Sequence, residues 1–202
     1  MKKIHKILLS ILIISFILLL VLVELEKTIN IDTKFYNFIM KIKSDELTNI
    51  VKIITNLGDT FIIITGIIIC FLLFRKKVYP ILITSNILGV VLINQTLKHL
   101  IMRPRPDFLH LVEETGFSFP SGHSMAAFGF YGYFIYLINI SKLNKKIKVI
   151  LTSILSIIIL LIGLSRVYLG IHYISDVVAG FIMSFIYLLL FITITKKYLK
   201  HE

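Results

Sequence analysis

Apolar positions along the chain fall into long unbroken runs rather than the strict alternation of a half-buried strand, and the runs recur at a length that suits a bilayer. Six of them, residues 7–24, 54–74, 78–97, 122–141, 147–165 and 174–195, approach the ~20 residues an α-helix needs to cross the hydrocarbon. Between the first two the pattern changes. Ile31, Phe35, Phe38, Ile39 and Ile42 recur at helical spacing, as do Leu47, Ile50, Val51 and Ile54, with Lys34, Lys41, Lys43 and Lys52 interleaved. That is the pattern of short helices lying on a membrane surface with the lysines toward water. Asn56-Leu57-Gly58-Asp59 reads as the turn or cap that opens the second span. The expectation is an all-α polytopic membrane protein: six transmembrane helices, a short interfacial helical segment after the first, and a single domain over residues 1–202. No repeat, Gly/Ser linker or low-complexity tail marks a second one.

Composition agrees: 57% of the 202 residues are hydrophobic, with mean hydropathy +0.92, which is not the make-up of a soluble domain. The basic start Met1-Lys2-Lys3-Ile4-His5-Lys6 followed by an apolar run resembles a signal peptide. The run is too long and has no small-residue cleavage site, so it is read as a helix that stays. Cys70, the single cysteine, excludes an intrachain disulfide and a cysteine metal site.

The net charge of +11 would suggest nucleic acid in a soluble protein, but here the bases cluster at the ends of apolar runs, so no nucleic-acid partner is expected. Thirteen of the 22 basic residues lie at the two termini and in the stretches Arg75-Lys76-Lys77 and 142–148; nine lie on the other face, five of them in the surface segment. The positive-inside rule then places both termini in the cytoplasm and the polar motifs below on the extracytoplasmic side of the cell membrane.

Strong charges within such a chain mark function. His172 and Asp176 are four apart. On a helix starting near His172 they share a face, and the carboxylate fixes one imidazole nitrogen while the other keeps a directed lone pair. The same pair serves equally well as a structural contact at a helix end. Ser165-Arg166 precedes it, where a guanidinium can fork two phosphate oxygens. Pro120-Ser121-Gly122-His123 reads as a helix start whose free N–H groups and dipole favour an anion, with His123 in the first turn able to donate a proton; taken alone it reads more plainly as a capping serine beside a membrane-interface histidine. Lys98 and Arg105 add cations just upstream, and Asn94 lies one turn from Lys98. Three cations, two histidines and a helix N-terminus on one membrane face describe metal-free phosphoryl transfer.

The series Lys98-(six residues)-Arg105-Pro106, Pro120-Ser121-Gly122-His123 and Ser165-Arg166-(five residues)-His172-(three residues)-Asp176 resembles the three-part signature of the type 2 phosphatidic acid phosphatase family, shared with vanadium haloperoxidases. Every signature position is present over residues 98–176. The flanking Arg103-Pro104-Arg105-Pro106-Asp107-Phe108 and Phe117-Ser118-Phe119 look most like the small bacterial phosphatidylglycerophosphatase B type within that family. The resemblance implies that His172 attacks phosphorus to give a phosphohistidine and that Asp176 orients it. His123 protonates the leaving oxygen and then activates water. Lys98, Arg105 and Arg166, with Ser121 and the Gly122 backbone, hold the phosphate; no metal or other cofactor is needed. The implied substrates are lipid phosphates of the outer leaflet, with phosphatidylglycerol phosphate and undecaprenyl pyrophosphate ahead of phosphatidic acid.

The rival readings are a vanadate haloperoxidase, disfavoured by the spanning helices, and an inactive lipid-phosphate binder or translocator. Around the site, Arg103 is read as a headgroup-steering or snorkelling arginine, and Glu113 and Glu114 as a solvated loop, with the edge of a lid as the second reading. Phe117, Phe119, Tyr168 and Tyr173 are read as interface-belt aromatics, and Ser85, Asn86, Asn94 and Gln95 as bonding neighbouring helices. His5, His99, His110 and His201 match no part of the signature.

Overall fold

The computed structural model describes residues 3–199; Lys2, Lys200 and His201 lie outside the described residues. Eight α-helices follow one another among the described residues: α1 (Lys3–Glu24), α2 (Ile29–Met40), α3 (Asp45–Asn56), α4 (Thr60–Leu73), α5 (Val78–Ile101), α6 (Gly122–Ile140), α7 (Lys145–Tyr168) and α8 (Ile174–Thr195), with a closing 3-10 turn Lys196–Leu199. Four segments are individually long and apolar enough to span a membrane: α1, α5, α7 and α8 with its closing turn. Their outward faces carry large apolar side chains such as Ile14, Leu18, Leu88, Leu92, Ile157 and Leu160. That arrangement suits hydrocarbon and no aqueous surface.

The second expected span differs from the pattern reading of 54–74. The chain breaks at residues 57–59, and α4 has 14 residues, a rise of about 21 Å against a hydrocarbon core of ~30 Å. The apolar path continues into α3 instead, as a pair bent by 46°. Asn56-Leu57-Gly58-Asp59 therefore opens a helix, as expected, but inside the apolar path, which is a broken span or a re-entrant loop.

Helix α6 is the other departure, being 19 residues long and too rich in Gly and Tyr to qualify by hydropathy. It packs against α5, α7 and α8. A helix covered on several sides meets neighbours where lipid would otherwise be, so small residues that allow close approach replace bulky apolar ones. At Gly129 a Cβ would come 2.7 Å from Val90 of α5, and at Gly180 of α8 one would come 3.0 Å from the Ser121 carbonyl at the start of α6. The second contact seats the Pro120-Ser121-Gly122-His123 segment directly on α8. Asn86 and Asn94 of α5 complete the clamp, donating to the Gly129 and Pro120 carbonyls at 2.8 and 3.1 Å. This is the helix-bonding role expected of them.

The core lies between α4, α5, α6 and α8 around Ile63, Ile83, Phe130, Tyr133 and Leu188, and it includes Cys70. Phe119 is fully buried with Phe16, Val23, Ala179 and Ile186, and Tyr168 is buried with its hydroxyl 2.8 Å from Thr48 Oγ1 of α3. Both were expected at the membrane interface, and both instead hold helices together. In α2 the expected apolar positions Ile31 and Phe38 face outward while Asp32 and Tyr36 face in, so this amphipathic helix presents a carboxylate to the bundle.

Candidate active site

Three chain segments meet at one end of the bundle: the loop of residues 102–121, the start of α6, and the turn from α7 into α8. Met102 ends α5 in the left-handed conformation, and the loop is pinned where it passes the site. Ser118 N donates to Arg103 O (2.8 Å), Leu111 N to Leu169 O (3.0 Å) and Ser121 N to Asp176 O (3.1 Å). The α7–α8 turn needs Gly170 at φ +77°, where a Cβ would also collide with the Leu109 carbonyl. That turn delivers His172 two residues before α8.

His172 is almost wholly buried. Its Nδ1 lies 3.3 Å from Asp176 Oδ2 and 3.3 Å from Ser118 Oγ, while Nε2 lies 3.2 Å from the Arg105 guanidinium. A guanidinium only donates, so Nε2 is the acceptor and Nδ1 carries the hydrogen. Burial pulls the His172 pKa down to about 4, against the opposing pull of Asp176. The ring is thus neutral, with its lone pair directed at the cation cluster. Helix α8 begins at Ile174 rather than at His172, so the two residues do not share a helical face. The carboxylate at the third position of α8 reaches back instead, and it also accepts from Tyr173 N at 2.9 Å.

The Asp176 carboxylate is saturated. Ser118 Oγ donates to Oδ2, and Arg103 donates to Oδ1 at 2.6 Å. Arg103 also bonds Ser175 Oγ (2.8 Å), Thr28 Oγ1 (3.2 Å) and Asp32 Oδ2 (3.1 Å), with the Tyr173 ring stacked 4.0 Å from its guanidinium carbon. Asp32 in turn accepts from Ser175 N at 2.9 Å. Arg103 is therefore neither a snorkelling nor a headgroup residue. It is a buried link between α2 and the carboxylate behind His172, and Tyr173 belongs to the same link.

The cations line or adjoin a cleft of about 240 Å³ bounded by Gly58, Asn94, Lys98, Arg105, Glu114, Gly122, His123 and His172, among others. Lys98 Nζ donates to Phe117 O. Arg105 is held by the carbonyls of Gly116 (3.1 Å), Thr115 (2.8 Å) and Ile171 (2.9 Å). Arg166 donates to Thr55 Oγ1 at 2.9 Å and to Glu114, and its buried Nε has no protein partner among the described residues. Glu114 lies in an exposed loop, as expected, but its carboxylate turns to the arginines. It also lies 3.7 Å from Arg105. Burial alone would raise its pKa, but Arg166, Arg105 and His123 outweigh that and hold the carboxyl below the ordinary glutamate range. Ser121 is fully buried and caps α6, its hydroxyl accepting from Ser124 Oγ at 2.9 Å. Gly122 next to it reaches the cleft and carries a helix-start N–H.

His123 enters the same cleft from α6. Its Nε2 is 2.6 Å from Asp59 Oδ1, a residue that the sequence pattern marked only as a turn. Among the described residues no three His, Cys, Asp or Glu side chains are grouped as a metal would require. A larger cavity of about 750 Å³ at the opposite end of the bundle is lined by Phe74, Tyr79, Phe134, Tyr136, Lys142 and Lys196 among others. It brings together no acid and base, so the chemistry lies in the smaller cleft.

The family model described as the PAP2 superfamily matches residues 78–200, which takes in every cation and histidine of the cleft. Phosphatidylglycerophosphatase B of Bacillus subtilis is 35% identical over 144 residues, 69% of this chain and 71% of that one. The crystal structure of a transmembrane PAP2 type phosphatidylglycerolphosphate phosphatase from Bacillus subtilis superposes with a TM-score of 0.85 at 31% identity, covering 94% of this chain and 96% of that one. Aquifex aeolicus LpxE shares the fold, with a TM-score of 0.64 at 22% identity over 80% of this chain and 94% of its own. With the signature residues gathered in one cleft and the match running through it, the chain belongs to the PAP2 superfamily and is a membrane phosphatase.

Proposed function

We propose that the chain removes phosphate from lipid phosphomonoesters or pyrophosphates through a phosphohistidine at His172. The observation that carries this reading is the orientation of His172: Nδ1 tied to a saturated carboxylate, Nε2 directed at Arg105 in a cleft of cations. In the first step Nε2 attacks phosphorus, the bond from phosphorus to the lipid oxygen breaks, and His123 gives that oxygen its proton. In the second step His123 takes a proton from water as the water attacks phosphorus, the P–N bond breaks and phosphate leaves. Lys98, Arg105, Arg166 and the α6 N-terminus at Gly122 face the oxygens where charge develops; Ser121 acts by holding that helix start. The unpartnered Arg166 Nε is a donor suited to a phosphoryl oxygen.

Glu114 sits where such an oxygen would bind, so phosphate binding exchanges one anion for another. Activity should survive EDTA, since every charge that stabilises phosphate here is a side chain or a helix end. Orthovanadate should inhibit by adopting the transition-state geometry. Loss of activity on chelation, restored by magnesium, would contradict the mechanism.

The substrates best supported are phosphatidylglycerol phosphate, the substrate class in the names of the Bacillus subtilis relatives, and undecaprenyl pyrophosphate, with phosphatidic acid next. Phosphate release from a panel of these lipids, with His172→Ala as control, tests the reading; no release from any would favour a lipid-phosphate binder.

The reading extends to topology: one membrane-embedded domain with six spans, counting the bent α3–α4 pair and α6, termini in the cytoplasm and the cleft open to the outer leaflet. The basic-residue asymmetry supports it. With Cys70→Ser as background, a membrane-impermeant maleimide should label Glu113→Cys in intact cells and miss Asn144→Cys. The reverse pattern would place the cleft in the cytoplasm.

A further inference from the structure

The break inside the bent span lies against the cleft at three points. Thr55 accepts from Arg166, Asp59 meets His123, and Gly58 passes so close that a Cβ there would come 2.8 Å from Ile162 Cγ2 and 3.2 Å from His123 Cδ2. Tyr131 of α6 holds the break in register by donating to Leu57 O at 2.8 Å. Asp59 is the N-cap of α4, with an extended backbone, yet its side chain makes no cap bond. An N-cap aspartate ordinarily accepts from the second or third N–H of its helix. Here Oδ1 is 2.6 Å from His123 Nε2, and the Asn56 amide, once turned so that its nitrogen rather than its oxygen faces Lys52 O (2.9 Å), brings that nitrogen 3.2 Å from Oδ2. Both oxygens are thereby aimed, at the expense of the helix cap. No described protein group bonds His123 Nδ1, and His123 lines the cleft.

We propose that Asp59 is a positioning residue for the proton-carrying His123, fixing its Nε2–H so that Nδ1 is the nitrogen that meets the departing lipid oxygen. The inference rests on the acid–base role given to His123 above. While the P–O bond breaks, the Nδ1 proton of the imidazolium moves to the lipid oxygen, and the Nε2 proton stays on Nε2, donated to the Asp59 carboxylate. In the second step Nδ1 takes the proton of the attacking water, and the imidazolium formed is paired to the same carboxylate.

The test compares Asp59→Asn, Asp59→Glu, His123→Ala and the double variant on a lipid phosphate and on p-nitrophenyl phosphate, whose leaving group needs little proton assistance. Asparagine is as good an N-cap residue as aspartate, so Asp59→Asn puts no poorer residue at the head of α4. Expected are a fall in lipid turnover of about tenfold in kcat with KM nearly unchanged, and phosphohistidine formation from p-nitrophenyl phosphate altered less than about twofold, which also shows that the protein is folded. No further loss should appear when Asp59→Asn is added to His123→Ala, and Asp59→Glu should recover part of the rate. The alkaline limb of lipid turnover should move down by up to about one pH unit, the carboxylate being partly solvated. Lys98, Arg105, Glu114, Arg166 and His172, the other charged or titratable groups around His123, are unchanged in this variant.

A loss that is equal on both substrates, or that adds in full to His123→Ala, would make Asp59 a structural element of the helix break and overturn the proposal. If His123→Ala itself fails to discriminate between the substrates, the acid role of His123 falls first. If His123→Ala discriminates and Asp59→Asn does not, only the assignment of Asp59 falls.

Discussion

His172 and His123 line one cleft but stand in opposite surroundings. The side chain of His172 is 2% exposed and its carboxylate partner is 0% exposed; that partner is locked by Arg103, Ser118 and a backbone N–H. His123 keeps 19% of its side chain exposed and leans on a carboxylate that is itself 42% exposed. Burial keeps the first imidazole neutral, which suits the nucleophilic role proposed for it. Partial exposure leaves the second open to proton exchange, which suits its proposed acid–base role. The difference lies in supporting residues rather than in the histidines, and it can be broken from either side.

The largest effect should come from His172→Ala, which removes the group proposed to bond phosphorus. Phosphoenzyme should vanish and turnover on every substrate fall by roughly 10⁴-fold or more. Residual phosphohistidine in that variant would move the nucleophile elsewhere. Next is Arg103→Ala, which leaves the buried Asp32 and Asp176 without their shared cation. Stability in detergent should drop by about 3 kcal/mol, read by thermal unfolding, and phosphohistidine should form more slowly. A variant as stable as the parent would show that the link is not needed to hold the carboxylate.

Glu114→Gln should remove a competing anion from Arg166 and Arg105 and so tighten orthovanadate inhibition by up to about tenfold. Weaker inhibition would mean that Glu114 orders the arginines instead. The smallest effect concerns pH. Since burial holds the His172 pKa at about 4, its lone pair is present throughout the range above that value and is lost only as pH falls through it. Formation of phosphohistidine from p-nitrophenyl phosphate at pH 5.5 should stay within about threefold of its rate at pH 7. A decline centred near pH 6.5 would indicate a solvated histidine.

The signature residues were legible in the sequence because strong charges are costly in an apolar chain and their spacing is distinctive. Lys98, Arg105, Gly122, His123, Arg166, His172 and Asp176 all come to one end of the bundle. Their partners were not legible. Asp32, Asp59 and Glu114 lie 71, 64 and 52 positions from Arg103, His123 and Arg166, which they meet, and no short-range periodicity reports such distances. A signal for the first two was present all the same: a lone carboxylate in an amphipathic helix, and another inside an apolar run, demand a partner.

The helical class was likewise readable from run length, while the break within the second apolar run was not. A run of apolar residues fixes how much chain enters hydrocarbon, but the bend at residues 57–59 is set by tertiary contacts of Tyr131 and His123 with the break. Phe119 and Tyr168 were misplaced for a related reason. Aromatic residues near the ends of spans suit both the interface and the gaps between helices, and only the packing of α1, α3 and α8 decides.

The division of labour between the two histidines is tested most directly by following phosphohistidine in His123→Ala with p-nitrophenyl phosphate as substrate. The activated leaving group spares the first step, so the phosphoenzyme should form at a measurable rate. Its hydrolysis should slow by about a hundredfold for want of a base, and phosphohistidine should accumulate, while the same variant on a lipid phosphate forms little of it. Equal loss of formation on both substrates, with no accumulation, would show that His123 binds phosphate or holds the fold and would withdraw its assignment as acid and base.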